Sequence, residues 1–231
     1  MDMCKLRRKL LLFDYIVEKL VDWQAQKNLE KHYNELTCVQ IDEILATLSG
    51  KRLMKLLYFI CLSSIHNDTQ KSQESLFGIF DKYIAMENGP VEDSVYHNRG
   101  ILLRYTFDNK LKLSDKYQEH FKFNYPEVDE NAYNKSDIYR VNILREQLEN
   151  SRNNKESKET NLMKYAEMVD KSIQYLQTKT TFPFENKELL IQLTHELPLW
   201  NKYINKNDTC IQLDNIEELK YERYCFDKLL G

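Results

Sequence analysis

Apolar residues recur along this chain in blocks whose spacing identifies the elements they build. Leu53-Met54-Lys55-Leu56-Leu57-Tyr58-Phe59-Ile60-Cys61-Leu62 is apolar on almost every side and is interrupted only at Lys55. A helix with apolar residues all round belongs inside a protein, and this one falls short of the roughly twenty residues a membrane span requires. The pattern predicts a buried central helix running to about Ser64. Before it, Leu6, Leu10, Phe13, Val17, Leu20 and Val21 follow spacings of three and four, which predicts an amphipathic helix within 4–30. Thr37 and Gln40 form a capping box ahead of Ile41, Ile44, Leu45 and Leu48, and Gly50 is expected to end that helix.

Beyond the central helix, residues 66–75 are polar and read as a surface loop. Phe77, Ile79, Tyr83 and Ala85 alternate loosely, so 76–86 is either a strand or a helical turn. Gly89-Pro90 predicts a sharp corner, with Pro90 in the first turn of a helix that runs to about Leu103. Tyr105-Thr106-Phe107 and Lys110-Leu111-Lys112-Leu113 flank Asp108-Asn109 as a small hairpin. The stretch 114–135 has no clear period. Ile138, Val141, Leu144 and Leu148 predict a helix, and the polar run 151–160 a linker. Leu162, Tyr165, Val169, Ile173 and Leu176 mark another helix. Lys187 to His195 makes a short one, stopped by Leu197-Pro198, and Asp214 with Glu217 opens a last helix toward Leu230. The expected fold is mainly α: a compact helical domain around a buried central helix, with a minor β-hairpin or small sheet. Its expected parts are an N-terminal helical extension (1–49), a central domain (50–204) and a C-terminal helix packed on it (205–231).

Composition narrows the classes. The 231 residues are 42% hydrophobic, enough for a core, and the net charge of −3 comes from 33 basic and 36 acidic residues spread along the chain. That balance lacks the clustered basic surface that nucleic acid attracts, so nucleic acid is not the expected partner. Fifteen Tyr and ten Phe offer rings for burial or for a binding face. Cys4, Cys38, Cys61, Cys210 and Cys225 are odd in number and contain no CxxC pair, which suits a reduced cytoplasmic setting. Arg7-Arg8-Lys9-Leu10-Leu11-Leu12 imitates the start of a signal peptide, but Asp14 and Glu18 break its apolar run. A soluble cytoplasmic protein with no membrane partner is expected.

The motifs of common catalytic sites do not occur: no GxGxxG, GxxxxGKS, GxSxG or HExxH. His32, His66, His97, His120 and His195 lie far apart, without a metal-ligand pair at helical spacing. Cys61 sits in the most apolar helix and reads as an inert small hydrophobe. His97 near Asp93 makes an i, i+4 couple that reads as a surface pair. Glu92 and Asp93 occupy the helix start where a phosphate would otherwise bind. No catalytic residue, metal or cofactor is expected, and the protein is not expected to be an enzyme.

Three blocks in order carry a resemblance. Lys55, Leu56, Leu57 and Tyr58 in the central helix, then Gly89, Pro90 and Val91 with Tyr96, then Thr194, His195 and Glu196 with Trp200, resemble the Panacea antitoxin domain family. Members typically carry an aromatic residue before the Gly-Pro-Val, where this chain has Asn88. The resemblance implies an antitoxin, some members phage-associated, that neutralises a co-encoded toxin by direct contact and in some cases delivers it to a protease. The motif residues are expected to keep the fold, with Gly89 and Pro90 building a corner on which Trp200 packs and His195 serving its helix C-terminus. Toxin contact is expected from Tyr117, Phe121, Phe123 and Tyr125 and from Tyr221 and Tyr224. The alternatives are a helical DNA-binding regulator, a phage-associated adaptor, or an enzyme using His97 or His195.

Overall fold

A computed structural model describes residues 3–99, 102, 105–107, 111–113, 162–203 and 209–231. The described elements, in order, are α1 (Met3–Leu29), α2 (Cys38–Thr47), α3 (Gly50–Ser63), β1 (Tyr83–Met86), β2 (Gly89–Glu92), α4 (Asp93–Asn98), β3 (Tyr105–Phe107), β4 (Leu111–Leu113), α5 (Leu162–Thr178), α6 (Lys187–His195), α7 (Pro198–Asn201) and α8 (Ile216–Leu230). The fold is mainly α with a minor β element. α3 is its axis: every residue from Arg52 to Ser63 is buried, because α5, α6, α8 and β2 pack around it. One hydrophobic cluster joins α1 and α2 to α3 and α8, through Phe13, Leu45, Phe59 and Phe226 among others.

The helix ends follow local chemistry. Glu30 takes a left-handed conformation (φ 55°) just past Leu29 and stops α1. Thr37 Oγ1 accepts from the Gln40 amide while Gln40 Oε1 accepts from the Thr37 amide, the capping box the spacing predicts. Gly50, however, does not end α2. That helix closes at Thr47 with Leu48 as its cap, and Gly50 is the first residue of α3, behind the N-cap Ser49. Likewise Asn215, not Asp214, caps α8, its Oδ1 accepting from the Glu217 and Glu218 amides. The far end of α3 is held from a distance, since Arg223 on α8 donates to the Leu62, Ser63 and Ile65 carbonyls. A cation there meets the negative end of the helix dipole.

The Gly-Pro corner is a β-hairpin. β1 and β2 pair antiparallel with Tyr83 opposite Glu92 and Met86 opposite Gly89, so Glu87 and Asn88 make the turn. The open alternative over 76–86 resolves as both forms, a 3-10 turn at Leu76–Gly78 followed by β1. Pro90 lies within β2 and not in a helical turn; it faces Ala85, whose own amide turns away to the Thr209 carbonyl. A missing donor is tolerated at such an edge position. The other edge of β1 binds residues 209–211, with Ile211 donating to the Tyr83 carbonyl. α4 is correspondingly short and stops at Asn98, well before Leu103. β3 and β4 pair antiparallel as the pattern predicts. The helix predicted at 138–148 and the linker at 151–160 lie outside the described residues.

Candidate functional site

Lys55, Tyr58, Gly89, Pro90, Thr194 and Trp200 lie where α3, β2, α6, α7 and α8 meet. Lys55, the single interruption of the apolar helix, points inward and is only 1% exposed. Its Nζ donates to the Pro90 carbonyl at 3.1 Å. Burial pushes its pKa down to about 7, and Lys51 nearby adds to the fall. Gly89 sits against it with φ +109°, and a Cβ there would lie 2.8 Å from Lys55 Cε and 2.8 Å from Thr194 Cγ2. Both the backbone angle and the close approach call for glycine. Thr194 is fully buried and donates from Oγ1 to the Leu190 carbonyl at 2.9 Å.

One turn along α3, Tyr58 donates to Glu222 Oε1 at 2.9 Å, and Glu222 Oε2 accepts from the Leu199 amide at 2.7 Å. Glu222 is wholly buried on α8. Burial raises its pKa to about 7, against the bonds from Leu199, Tyr58 and Trp200 that favour the ionised form. This carboxylate joins the start of α7 to the centre of α3.

A second buried polar group lies beside the hairpin. Lys9 on α1 places Nζ 2.5 Å from Glu92 Oε1 and 3.0 Å from Asp81 Oδ1. Glu92 also caps α4, accepting from the Val95 amide at 2.7 Å, and accepts from the Lys82 amide at 3.2 Å. Burial raises the Glu92 pKa, with Lys9 pulling the other way. At the opposite end of α3, Arg52 donates to the Phe184 and Thr47 carbonyls with its guanidinium 4.9 Å from the Phe184 ring. Phe184 in turn stacks on Trp23 at 4.2 Å.

The remaining predicted residues fall into place around this frame. Leu56 and Leu57 are fully buried, and Val91 and Pro90 are buried in β2. Trp200 is fully buried, but its ring stacks on His195 at 4.5 Å, while Lys55 and Thr194 are the side chains that close on Gly89. His195 is exposed in the last turn of α6, and Glu196 is its exposed C-cap. Tyr96 is half-buried under the Arg99 guanidinium, 4.1 Å from its ring. His97 and Asp93 form an exposed pair at 3.0 Å. Cys61 is fully buried, accepts from the Tyr83 hydroxyl at 3.4 Å, and has its pKa driven up by burial. Tyr221 and Tyr224 are exposed and stacked on each other, with ring centroids 6.4 Å apart. Tyr117, Phe121, Phe123 and Tyr125 lie outside the described residues.

Lys9, Glu92 and Glu222 carry these buried contacts without standing out as motif residues. A signal exists for Glu222: it interrupts the buried stripe Leu219, Phe226 and Leu230. Lys55 interrupts α3 in the same way.

Among the described residues no group of His, Cys, Asp and Glu could hold a metal ion, and no helix is long and apolar enough to cross a membrane. No protein-family model matches the chain, and no curated protein or solved structure matches it either.

Proposed function

We propose that this protein is an antitoxin that neutralises a co-encoded toxin by direct contact, acting as a binding scaffold. One observation carries the reading: the polar atoms of Lys55, Tyr58 and Thr194 are spent inside the fold. Lys55 bonds the Pro90 carbonyl, Tyr58 bonds Glu222, and Thr194 bonds Leu190, all of them buried. Groups engaged in this way hold helices and hairpin together, and contact with a partner falls to side chains on the surface. The order of the motif blocks, which resembles that of the Panacea antitoxin domain family, supports the same reading. Aromatic anchors supply much of the energy of protein interfaces, and this chain is rich in Tyr and Phe.

The test is co-expression with the product of the adjacent open reading frame in a host sensitive to it, followed by pull-down. The expected result is protection that tracks recovery of a stoichiometric complex and survives His195→Ala and His97→Ala. Protection by a substoichiometric amount, with no complex recovered and no loss of the toxin, would overturn the proposal in favour of an enzyme.

A further inference from the structure

The outward face of α8 has a pattern that the inner seam does not use. Glu217, Tyr221, Tyr224 and Lys228 stand four, three and four residues apart, which places them in one stripe along the helix. Tyr221 is 59% and Tyr224 53% exposed, and the Glu217 side chain is 78% exposed. The two rings are already stacked at 6.4 Å, and the Lys228 ammonium lies 4.6 Å from the Tyr224 ring. The stripe is therefore ordered before any partner arrives, which lowers the entropic cost of docking.

Its ends carry opposite charge. Glu217 and Lys228 are about 16 Å apart along the axis, too far to pair within one helix. Both lie at the same distance from the midpoint between Tyr221 and Tyr224. If the stripe is laid against itself antiparallel, Tyr221 meets Tyr224 of the other copy, and Glu217 meets Lys228. The match occurs twice, once on each side of the axis, as an isologous interface requires. Within one chain Glu217 has only a 3.4 Å surface pair with Lys220, which is weakly held and readily exchanged.

We propose that two copies of this chain pair through α8, antiparallel about a two-fold axis that passes between Tyr221 and Tyr224. This goes beyond the antitoxin reading: the tyrosine pair serves the contact between copies, and toxin contact falls to other surfaces. A single helical stripe makes a small interface, below about 1,200 Å², so the dimer belongs to the weak class, with a Kd of about 10⁻⁵–10⁻⁴ M.

Sedimentation of the purified full chain at low salt, with no toxin present, tests it. The average mass should rise with concentration from 27.8 kDa toward twice that value. Tyr221→Ser with Tyr224→Ser should hold the chain monomeric with its thermal unfolding unchanged. Glu217→Lys alone and Lys228→Glu alone each place like charges opposite each other and should weaken the dimer about tenfold. Mixing these two variants restores both opposite-charge pairs, so the mixture should associate about as well as the natural chain. A natural chain that stays monomeric at every concentration overturns the proposal. So does a dimer indifferent to the tyrosine substitutions, or a mixture that associates no better than its components.

Discussion

Two buried lysines, Lys9 on α1 and Lys55 on α3, find different partners. Lys9 and Lys55 are 2% and 1% exposed, yet Lys9 reaches a carboxylate at 2.5 Å while Lys55 reaches only a carbonyl. A buried charge persists where a counter-charge and further bonds replace water, and otherwise the group tends to lose its charge. Burial lowers the Lys55 pKa to about 7. A buried lysine in this protein is thus held by an ion pair in one case and by a single hydrogen bond and close packing in the other. Lys9 pins α1 to the hairpin electrostatically. Lys55 fills space beside Gly89.

The largest loss is expected at Lys9. Lys9→Met leaves the fully buried Glu92 without its cation and should cost about 3–5 kcal/mol, read as a fall in chemical-denaturation midpoint. A loss below about 1 kcal/mol would mean that Glu92 is held by its backbone donors alone. Gly89→Val comes next. It forces a side chain into a φ of +109° and into contact with Lys55 and Thr194, at roughly 2–4 kcal/mol, whereas Asn88→Ala in the turn should change little. Lys55→Met keeps the volume and removes one bond, so its effect should stay within about 1 kcal/mol of the natural chain. Equal losses for Lys9→Met and Lys55→Met would erase the distinction.

Lys55 and Glu222 also give stability opposite pH dependences. The folded chain binds the Lys55 proton less tightly than the unfolded chain, so stability should rise as pH goes from about 7 toward 10.5. Glu222 behaves oppositely: its pKa is raised to about 7, so its contribution is lost as pH rises from 4.5 to about 7. Glu92, also raised, acts in the direction of Glu222. Unfolding free energies measured across this range should lose the alkaline rise in Lys55→Met and flatten on the acid side in Glu222→Gln. Unchanged profiles would mean that neither group titrates inside the fold. The smallest effect is at His195, where removing an exposed ring from Trp200 should cost under about 1 kcal/mol while altering tryptophan fluorescence.

Local spacing and capping signals located α1, α2, α3 and α6. The spacing of Leu6 through Val21, the apolar run from Leu53 to Leu62, the Thr37–Gln40 capping box and the span Lys187–His195 all reappear as drawn, because each depends on residues a turn or two apart. The mainly α class follows from those elements. Glycine and proline were less decisive, since the same residue suits several local conformations. Gly50 opens a helix where it was expected to close one, and Pro90 lies in a strand where a helical turn was expected. The hairpin at 83–92 is further tied down by residues 209–211, far along the chain, and by the hydrogen bond from Lys55. The central site divides in the same way. Lys55 was legible as a lone charge in an apolar helix, and Glu222 could have been found by the same signal, because a stripe is a local pattern. That Lys9 would find Glu92, that Glu222 would take Tyr58 and the start of α7, and that Arg223 would close the end of α3 was decided only by tertiary packing. Burial makes an unmet charge or carbonyl costly, and the partner that meets it can come from any part of the chain that the core brings near.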